Sequence, residues 1–425
     1  MRKLLSTLGL ASMIAIAGCQ PSPPSTPKPT QPPGDKTAAK PKAEPTLEVA
    51  APRVQLVSNG RVDSPSPALH VFLWGNPDTT DRDLRLASEA GVSWVKQRFE
   101  WRNIEKTRKN TFEWNESDRI VDAINRAGLG IIARVDNQPD WARRDKIFPA
   151  SGPPDRTEDW KDFVQQLAER YRGKIQAYEI WNEPNLSREW GNAQPDAKAY
   201  TELLRVSHQE IKRVDPAALV ISAGLSPTTE QTDRAISDMA YLRDMYANGA
   251  KSYFDMLGVH APGYKVAPET DPAEVARTPE LNNNDPSEEN LRRAYAFRHA
   301  EDVRQVMVQN GDDAKQVAIM EMGWTADPRP NSPYSWHSVS EEQKGEYLVR
   351  AIQYARQNWT PWVGFMSIIY IPDPAWTASD EQYYWSITNP DGTARAAYNA
   401  LKARPRPPAS PAVAPSPSPS PSPTP

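Results

Sequence analysis

Two short apolar runs in this sequence end on glutamates: Tyr178-Glu179-Ile180-Trp181-Asn182-Glu183-Pro184-Asn185 and Val317-Ala318-Ile319-Met320-Glu321-Met322-Gly323-Trp324. A carboxylate placed directly after a buried strand is costly unless it has partners or a chemical task. Two such groups facing one cleft would raise the pKa of one member by like-charge repulsion, leaving a neutral acid beside an ionised carboxylate. That is the pair needed to cleave a glycosidic bond. The competing reading makes each glutamate a loop cap or an arginine partner. It is plausible for either one alone and weak for both at two corresponding places. Metal-dependent hydrolysis has less support, because no two of His70, His208, His260, His299 and His337 have the close spacing of a helical metal site. A single cysteine excludes a thiolate-rich zinc site and a cysteine-held iron–sulfur cluster. No metal and no cofactor is expected.

Such glutamates need a scaffold that aims them at one point. Short apolar runs alternate with longer amphipathic charged segments, the mark of a parallel sheet with crossover helices. Strands are expected at Leu69 to Trp74, Trp94 to Phe99, Gly130 to Val135, Ala177 to Trp181, Leu219 to Ala223, Met256 to His260, Val317 to Met320 and Val363 to Tyr370. Helices are expected at Asp81 to Ala90, Ser117 to Ala127, Glu158 to Tyr171, Ala197 to Val214, Glu288 to Gln309 and Glu341 to Gln357. Ser117, Thr157 and Ser340 read as N-caps, the last with Gln343 completing a capping box. Eight strand–helix units point to an α/β fold, a single (β/α)8 TIM barrel. An open doubly wound sheet would want a glycine-rich phosphate turn after its first strand, and Gly75-Asn76-Pro77 is not one. Barrel active sites lie at the C-terminal strand ends, where Glu183 follows the fourth strand and Glu321 the seventh. The aperiodic stretch from Ala267 to Pro286, with Asn282-Asn283-Asn284, reads as a loop beside the cleft.

The chain ends have another character. Of 43 prolines in 425 residues, 20 fall in residues 20–52 and 403–425. Neither tail can build a core, so a Pro-rich linker over 19–52 and a disordered Pro/Ser-rich tail over 403–425 flank a barrel over 53–402. Residues 1–18 combine Arg2 and Lys3 with an apolar stretch too short to span a membrane comfortably, and read as an export signal. Ile16-Ala17-Gly18-Cys19 resembles the lipobox of bacterial lipoproteins, which implies cleavage before Cys19 and its acylation. A membrane-anchored lipoprotein outside the cytoplasm is therefore expected, with the lipid bilayer as a partner. With 50 Lys and Arg against 54 Asp and Glu, no basic field is available for nucleic acid. The protein is expected to act as a monomer.

Trp181-Asn182-Glu183-Pro184-Asn185 resembles the acid/base motif that ends strand four in the large clan of retaining (β/α)8 glycoside hydrolases. Phe99-Glu100-Trp101, Pro139-Asp140-Trp141-Ala142 and the segment from Asp391 to Tyr398 make the pattern most similar to families 39 and 5, which include bacterial exopolysaccharide hydrolases. The resemblance covers about Ala68 to Leu401. It implies a retaining O-glycosidase acting on an extracellular poly- or oligosaccharide, with Glu183 as general acid/base and Glu321 as nucleophile. It also implies sugar-binding roles for Asn182, His260 and Tyr264. Two positions depart from the pattern. Lys96 stands where the clan often has an arginine near the nucleophile, with Arg98 one pleat further on, so either one could hold Glu321. The spacing from His260 to Tyr264 is also looser than the usual motif. Trp324, beside Glu321, is expected to stack on sugar, and Trp141 is a further candidate. Trp74, Trp101, Trp190, Tyr370 and Trp376 are also placed for stacking, though each is at least as well explained by rim packing. A barrel lipoprotein that binds glycans without cutting them is the alternative; it would have no need of both glutamates.

Overall fold

The computed structural model describes Val57, residues 60–145 and residues 150–405. The export segment, Cys19, the whole of the expected linker and the chain beyond Pro405 lie outside the described residues. Eight parallel strands close on themselves: β1 (Ser66–Val71), β2 (Trp94–Glu100), β3 (Gly130–Asp136), β4 (Ala177–Ile180), β5 (Leu219–Ser222), β6 (Met256–His260), β7 (Gln316–Met322) and β8 (Val363–Ile368). The last pairs back onto the first, with Leu69 opposite Ile368. The fold is the expected single (β/α)8 barrel.

Alternation along the strands sorts side chains into an outer and an inner set. Outward residues such as Val95, Phe99, Ile131, Val135, Tyr178 and Ile180 pack against the helices. Inward residues Ala68, Trp94, Ile132, Ala177, Leu219, Met256, Ala318 and Phe365 form an apolar floor, with Val62 from the entering chain among them. Two residues further along the strands, one layer above this floor, the inward positions are His70, Lys96, Arg134, Glu179 and Ser367, all buried. Apolar packing thus supports the barrel from below, and the charged groups gather at its C-terminal mouth.

The helix Ala197–Val214 has the expected bounds, and Ser340 with Gln343 makes the expected capping box. Other expectations need correction. Helix Asn115–Arg126 starts earlier than expected, so Ser117 lies inside it and bonds Trp114 O at 2.9 Å. Thr157 is the first helical residue, preceded by Arg156 at the cap position. The stretch 288–309 is not one helix: after Arg292 the chain makes a 3-10 turn and an extended break, where Tyr295 to Phe297 are buried, before helix His299–Gln309. That apolar break outweighs local helical propensity. The segment 267–286 contains the short helix Pro272–Arg277, capped by Asp271, and buried Asn282 donates to Val275 O and Ala276 O at its end. Helix Asp238–Ala247, opened by the Ser237 cap, has little amphipathic pattern and was not foreseen. The folded part also passes residue 402, because buried Arg404 donates to Gly91 O at 2.7 Å and to Ala90 O.

Candidate active site

Above the apolar floor, charges of alternating sign form an unbroken string: Glu179, Lys96, Glu321, Arg134, Asp136, Arg98 and Glu100. Successive N···O separations are 2.8, 3.7, 3.5, 2.6, 2.9 and 2.8 Å. A buried charge is tolerated when neighbours of opposite sign replace its lost water. Removing any one member takes a partner of opposite sign from each of its neighbours. Lys96 is fully buried and also donates to Met320 O at 3.2 Å. Sequence left the support of Glu321 open between Lys96 and Arg98. In the structure Lys96 and Arg134 face Glu321, while Arg98 is turned to Asp136 and Glu100. Arg134 was missed, although its place two residues after the inward Ile132 was the available signal.

Glu321 reaches the mouth through an irregularity in β7. Val259 pairs with Ile319 but His260 pairs with Glu321, so β7 carries one extra residue there. Such a bulge breaks the inside–outside alternation and re-aims a side chain. Met320 belongs to the floor and Met322 to the outer layer, leaving Glu321 on the inner side between them.

Glu183 is held by a strained turn after β4. Trp181 and Glu183 have φ of 75° and 40°, in the left-handed region that costs a non-glycine residue about 1 kcal/mol or more. Surrounding bonds fix the turn. Glu183 N donates to Gly224 O at 3.1 Å, and Trp181 Nε1 to Glu189 O at 2.8 Å. Fully buried Asn185 donates to Ser226 O and Ile236 O and accepts from Ser226 N. The last residue of the motif is thus a clamp onto the neighbouring loop.

The two glutamates meet at one ring. His260 Nδ1 lies 3.0 Å from Glu183 Oε1 and 3.9 Å from Glu321 Oε2. Added, those two legs place the two oxygens no more than about 6.9 Å apart. Gly224 makes room for the ring, since a Cβ there would fall 2.2 Å from His260 Cδ2. The other Glu183 oxygen, Oε2, accepts from Arg188 Nη2 at 2.9 Å. Arg188 stands on the 3-10 turn Ser187–Glu189 and was not foreseen. Burial pushes the Glu183 carboxyl up, but the His260 bond and the Arg188 charge outweigh it and take it down to about 2. This corrects the expectation of a protonated acid: in the unliganded site two nitrogen donors hold Glu183 ionised. His70, buried and beside Lys96 and Arg134, is held well below the usual histidine range by burial and then by those cations.

The remaining candidates divide. Asn182 is buried and its Oδ1 has no hydrogen-bond partner, which suits a ligand hydroxyl. His260 lies between the carboxylates through Nδ1, while its buried Nε2 has no hydrogen-bond partner. Buried Tyr264 places its hydroxyl 3.4 Å from Pro227 O and packs on Tyr295 and Trp336. Trp324 does not present a face to the cleft. It is fully buried, bonds Val266 O at 2.9 Å, and lies where any Cβ on Gly263 would collide with its ring. Trp141 is half-buried against Trp101 and donates to Glu105 O at 2.7 Å. Trp101 and Trp190 are buried in the same outer layer. The aromatic group left at the ends of β1 and β8 is Phe72, Tyr370 and Trp376, with Trp376 4.6 Å from Phe72 and 5.3 Å from Tyr370 between ring centres. Phe72 was not anticipated.

The site is thus a pair of buried carboxylates at the C-terminal mouth of a closed parallel barrel, one after β4 and one on β7. Residues 58–253 match the family model Cellulase (glycosyl hydrolase family 5), a stretch that includes Glu183 and ends before β6. The chain is similar to a family 39 glycoside hydrolase from the gut symbiont Bacteroides cellulosilyticus WH2, with 15% identity and a TM-score of 0.59 over 80% of this chain and 63% of that one. It is also similar to a glucosidase from Croceicoccus marinus, with 14% identity and a TM-score of 0.55 over 82% and 68%. A third likeness is to an exo-beta-1,4-mannosidase from Opitutaceae bacterium strain TAV5, with 14% identity and a TM-score of 0.52 over 84% and 61%. The chain thus spans less than two thirds of the first of these structures, and at such identities the likeness is one of fold. No curated protein matches it in sequence. The family 5 match thus spans 196 of the 425 residues, from ahead of β1 to just before β6, and the likeness to the solved structures extends the shared fold over the rest of the barrel.

Proposed function

We propose that this protein is a retaining O-glycosidase in which Glu321 is the nucleophile and Glu183 the general acid/base. The observation that carries the reading is the convergence of both carboxylates on His260 Nδ1. The resulting limit of about 6.9 Å between their nearer oxygens is compatible with the 5 to 5.5 Å carboxyl separation of a double displacement, which supports the reading. A Glu321 oxygen attacks the anomeric carbon as its bond to the leaving oxygen breaks, and the Glu183 proton passes to that oxygen. Water then attacks the glycosyl-enzyme, Glu183 takes a water proton, and Glu321 is released as carboxylate. Lys96 and Arg134 hold the nucleophile in position. Asn182 Oδ1 is placed to accept from a sugar hydroxyl, and Phe72 and Trp376 offer half-buried aromatic surface for a sugar face.

The substrate proposed is an extracellular poly- or oligosaccharide, met by a monomer tethered through acylated Cys19. A hydrolysis panel of polysaccharides and aryl glycosides tests the activity. Release of reducing sugar from at least one member supports it, and inertness across the panel with binding retained favours the glycan-binding alternative. Cys19→Ala should move the protein from membranes to the soluble fraction; a variant still membrane-bound would refute the anchor.

A further inference from the structure

In the unliganded site both oxygens of Glu183 are engaged, Oε1 with His260 and Oε2 with Arg188, so neither is left to protonate a leaving group. The two nitrogen donors differ in position. His260 has no exposed side-chain surface, whereas that of Arg188 is 33% exposed over a Glu183 that is 1% exposed. Arg188 is therefore a partly exposed cation lying against the buried acid/base. We propose that Arg188 is a positioning residue that covers Glu183 in the free enzyme and is displaced from Oε2 by the leaving-group sugar, which switches the carboxylate from ion-pair partner to acid.

This rests on the roles proposed above for Glu183 and Glu321. The physical logic is that a cation within bonding distance stabilises the ionised carboxylate, so lifting it restores proton affinity when a leaving oxygen is in place. Carboxylates are available to receive the guanidinium. Glu189 Oε1 already lies 3.7 Å from Arg188 Nε. Glu381, on the loop after β8, feels the Arg188 charge and has a buried Oε2 without a hydrogen-bond partner. The groups facing Glu183 come from several elements: Arg188 and Glu189 from its own loop, His260 from β6, Tyr264 beyond it, Glu321 behind the shared imidazole, and Tyr334 from the loop after β7. Of these only Arg188 is a cation with exposed surface.

The test is the pH dependence of Arg188→Gln on a 4-methoxyphenyl glycoside of a sugar that the wild type accepts, whose leaving group needs protonation. The kcat/KM profile reports the free enzyme and the kcat profile the complex. Loss of the cover should move the upper limb of kcat/KM up by about 1 to 3 pH units and leave that of kcat in place. Arg188→Lys should return the limb toward the wild-type position. A residue that merely braced the loop would depress rates without moving either limb, and an Arg188 that stayed on Glu183 through catalysis would move both; each result would overturn the proposal. Glu183→Gln is the control. If its upper limb persists, the acid/base assignment itself fails; if it vanishes while Arg188→Gln leaves the limb unmoved, only the cover is wrong.

Discussion

Two places in this molecule hold a histidine between two carboxylates. At the barrel mouth His260 lies between Glu183 and Glu321; among the outer helices His299 Nε2 lies 2.8 Å from Asp238 and its Nδ1 3.1 Å from Asp302. The residue classes are alike, but both carboxylates at the mouth face one ring nitrogen, at 3.0 and 3.9 Å, whereas the outer pair takes one nitrogen each, and the surroundings differ. Asp238 and His299 each open a helix, and Asp302 is further paired with Arg293 at 2.6 Å, so the outer trio ties helix Asp238–Ala247 to helix His299–Gln309. Burial pushes the His299 imidazole down, but the two aspartates prevail and raise it to about 10. It is a protonated rivet. At the mouth the cationic role falls to Lys96, Arg134 and Arg188, and the imidazole only spans carboxylates that those cations already hold. Histidine and two carboxylates therefore do not define an active site. What does is their address at the C-terminal strand ends, with Asn182 Oδ1 unpartnered beside them.

The comparison breaks most visibly at Lys96. Lys96→Met leaves Glu179 and Glu321 buried without that cation, and uncompensated buried charge costs about 3 to 5 kcal/mol. Chemical denaturation should show that loss, and kcat on an aryl glycoside should fall at least about a hundredfold in the molecules that remain folded. Stability near wild type with full activity would contradict the charge string.

His299→Gln should act on stability alone, by about 3 kcal/mol near pH 6. The folded-state pKa is raised above the ordinary value of 6.5, so this contribution is fully present below about 6.5 and disappears as pH rises through about 10. The gap between the melting temperatures of wild type and variant should therefore close across that interval while kcat/KM on the same glycoside stays within about twofold. A constant gap, or a loss of activity at fixed stability, would erase the distinction between the two trios.

How far the sequence reaches can be seen in particular residues. Most strands were legible as short apolar runs between charged segments, and in the second Trp94, Lys96 and Arg98 alternate with Val95, Gln97 and Phe99. Glu183 and Glu321 were legible as carboxylates at strand ends. Which cation meets which carboxylate depends on barrel closure and on the one-residue slip beside His260, which no local pattern records. Trp324 was misjudged because closeness in sequence to Glu321 says nothing of direction; the bare Gly263 opposite receives its ring. Arg188 lies in a loop, where periodicity is silent.

The central claim is that Glu183 and Glu321 serve different steps of one double displacement, and azide with the Glu183→Ala variant tests it most directly. On a 2,4-dinitrophenyl glycoside the departing phenolate needs little protonation, so Glu321 should still form the glycosyl-enzyme, which accumulates for want of a base. Azide needs no deprotonation and should restore turnover, giving a glycosyl azide with the anomeric configuration of the substrate, whereas Glu321→Ala treated alike should not form that product. A glycosyl azide of inverted configuration from Glu183→Ala, or no azide rescue on a substrate the wild type cleaves, would contradict the assignment.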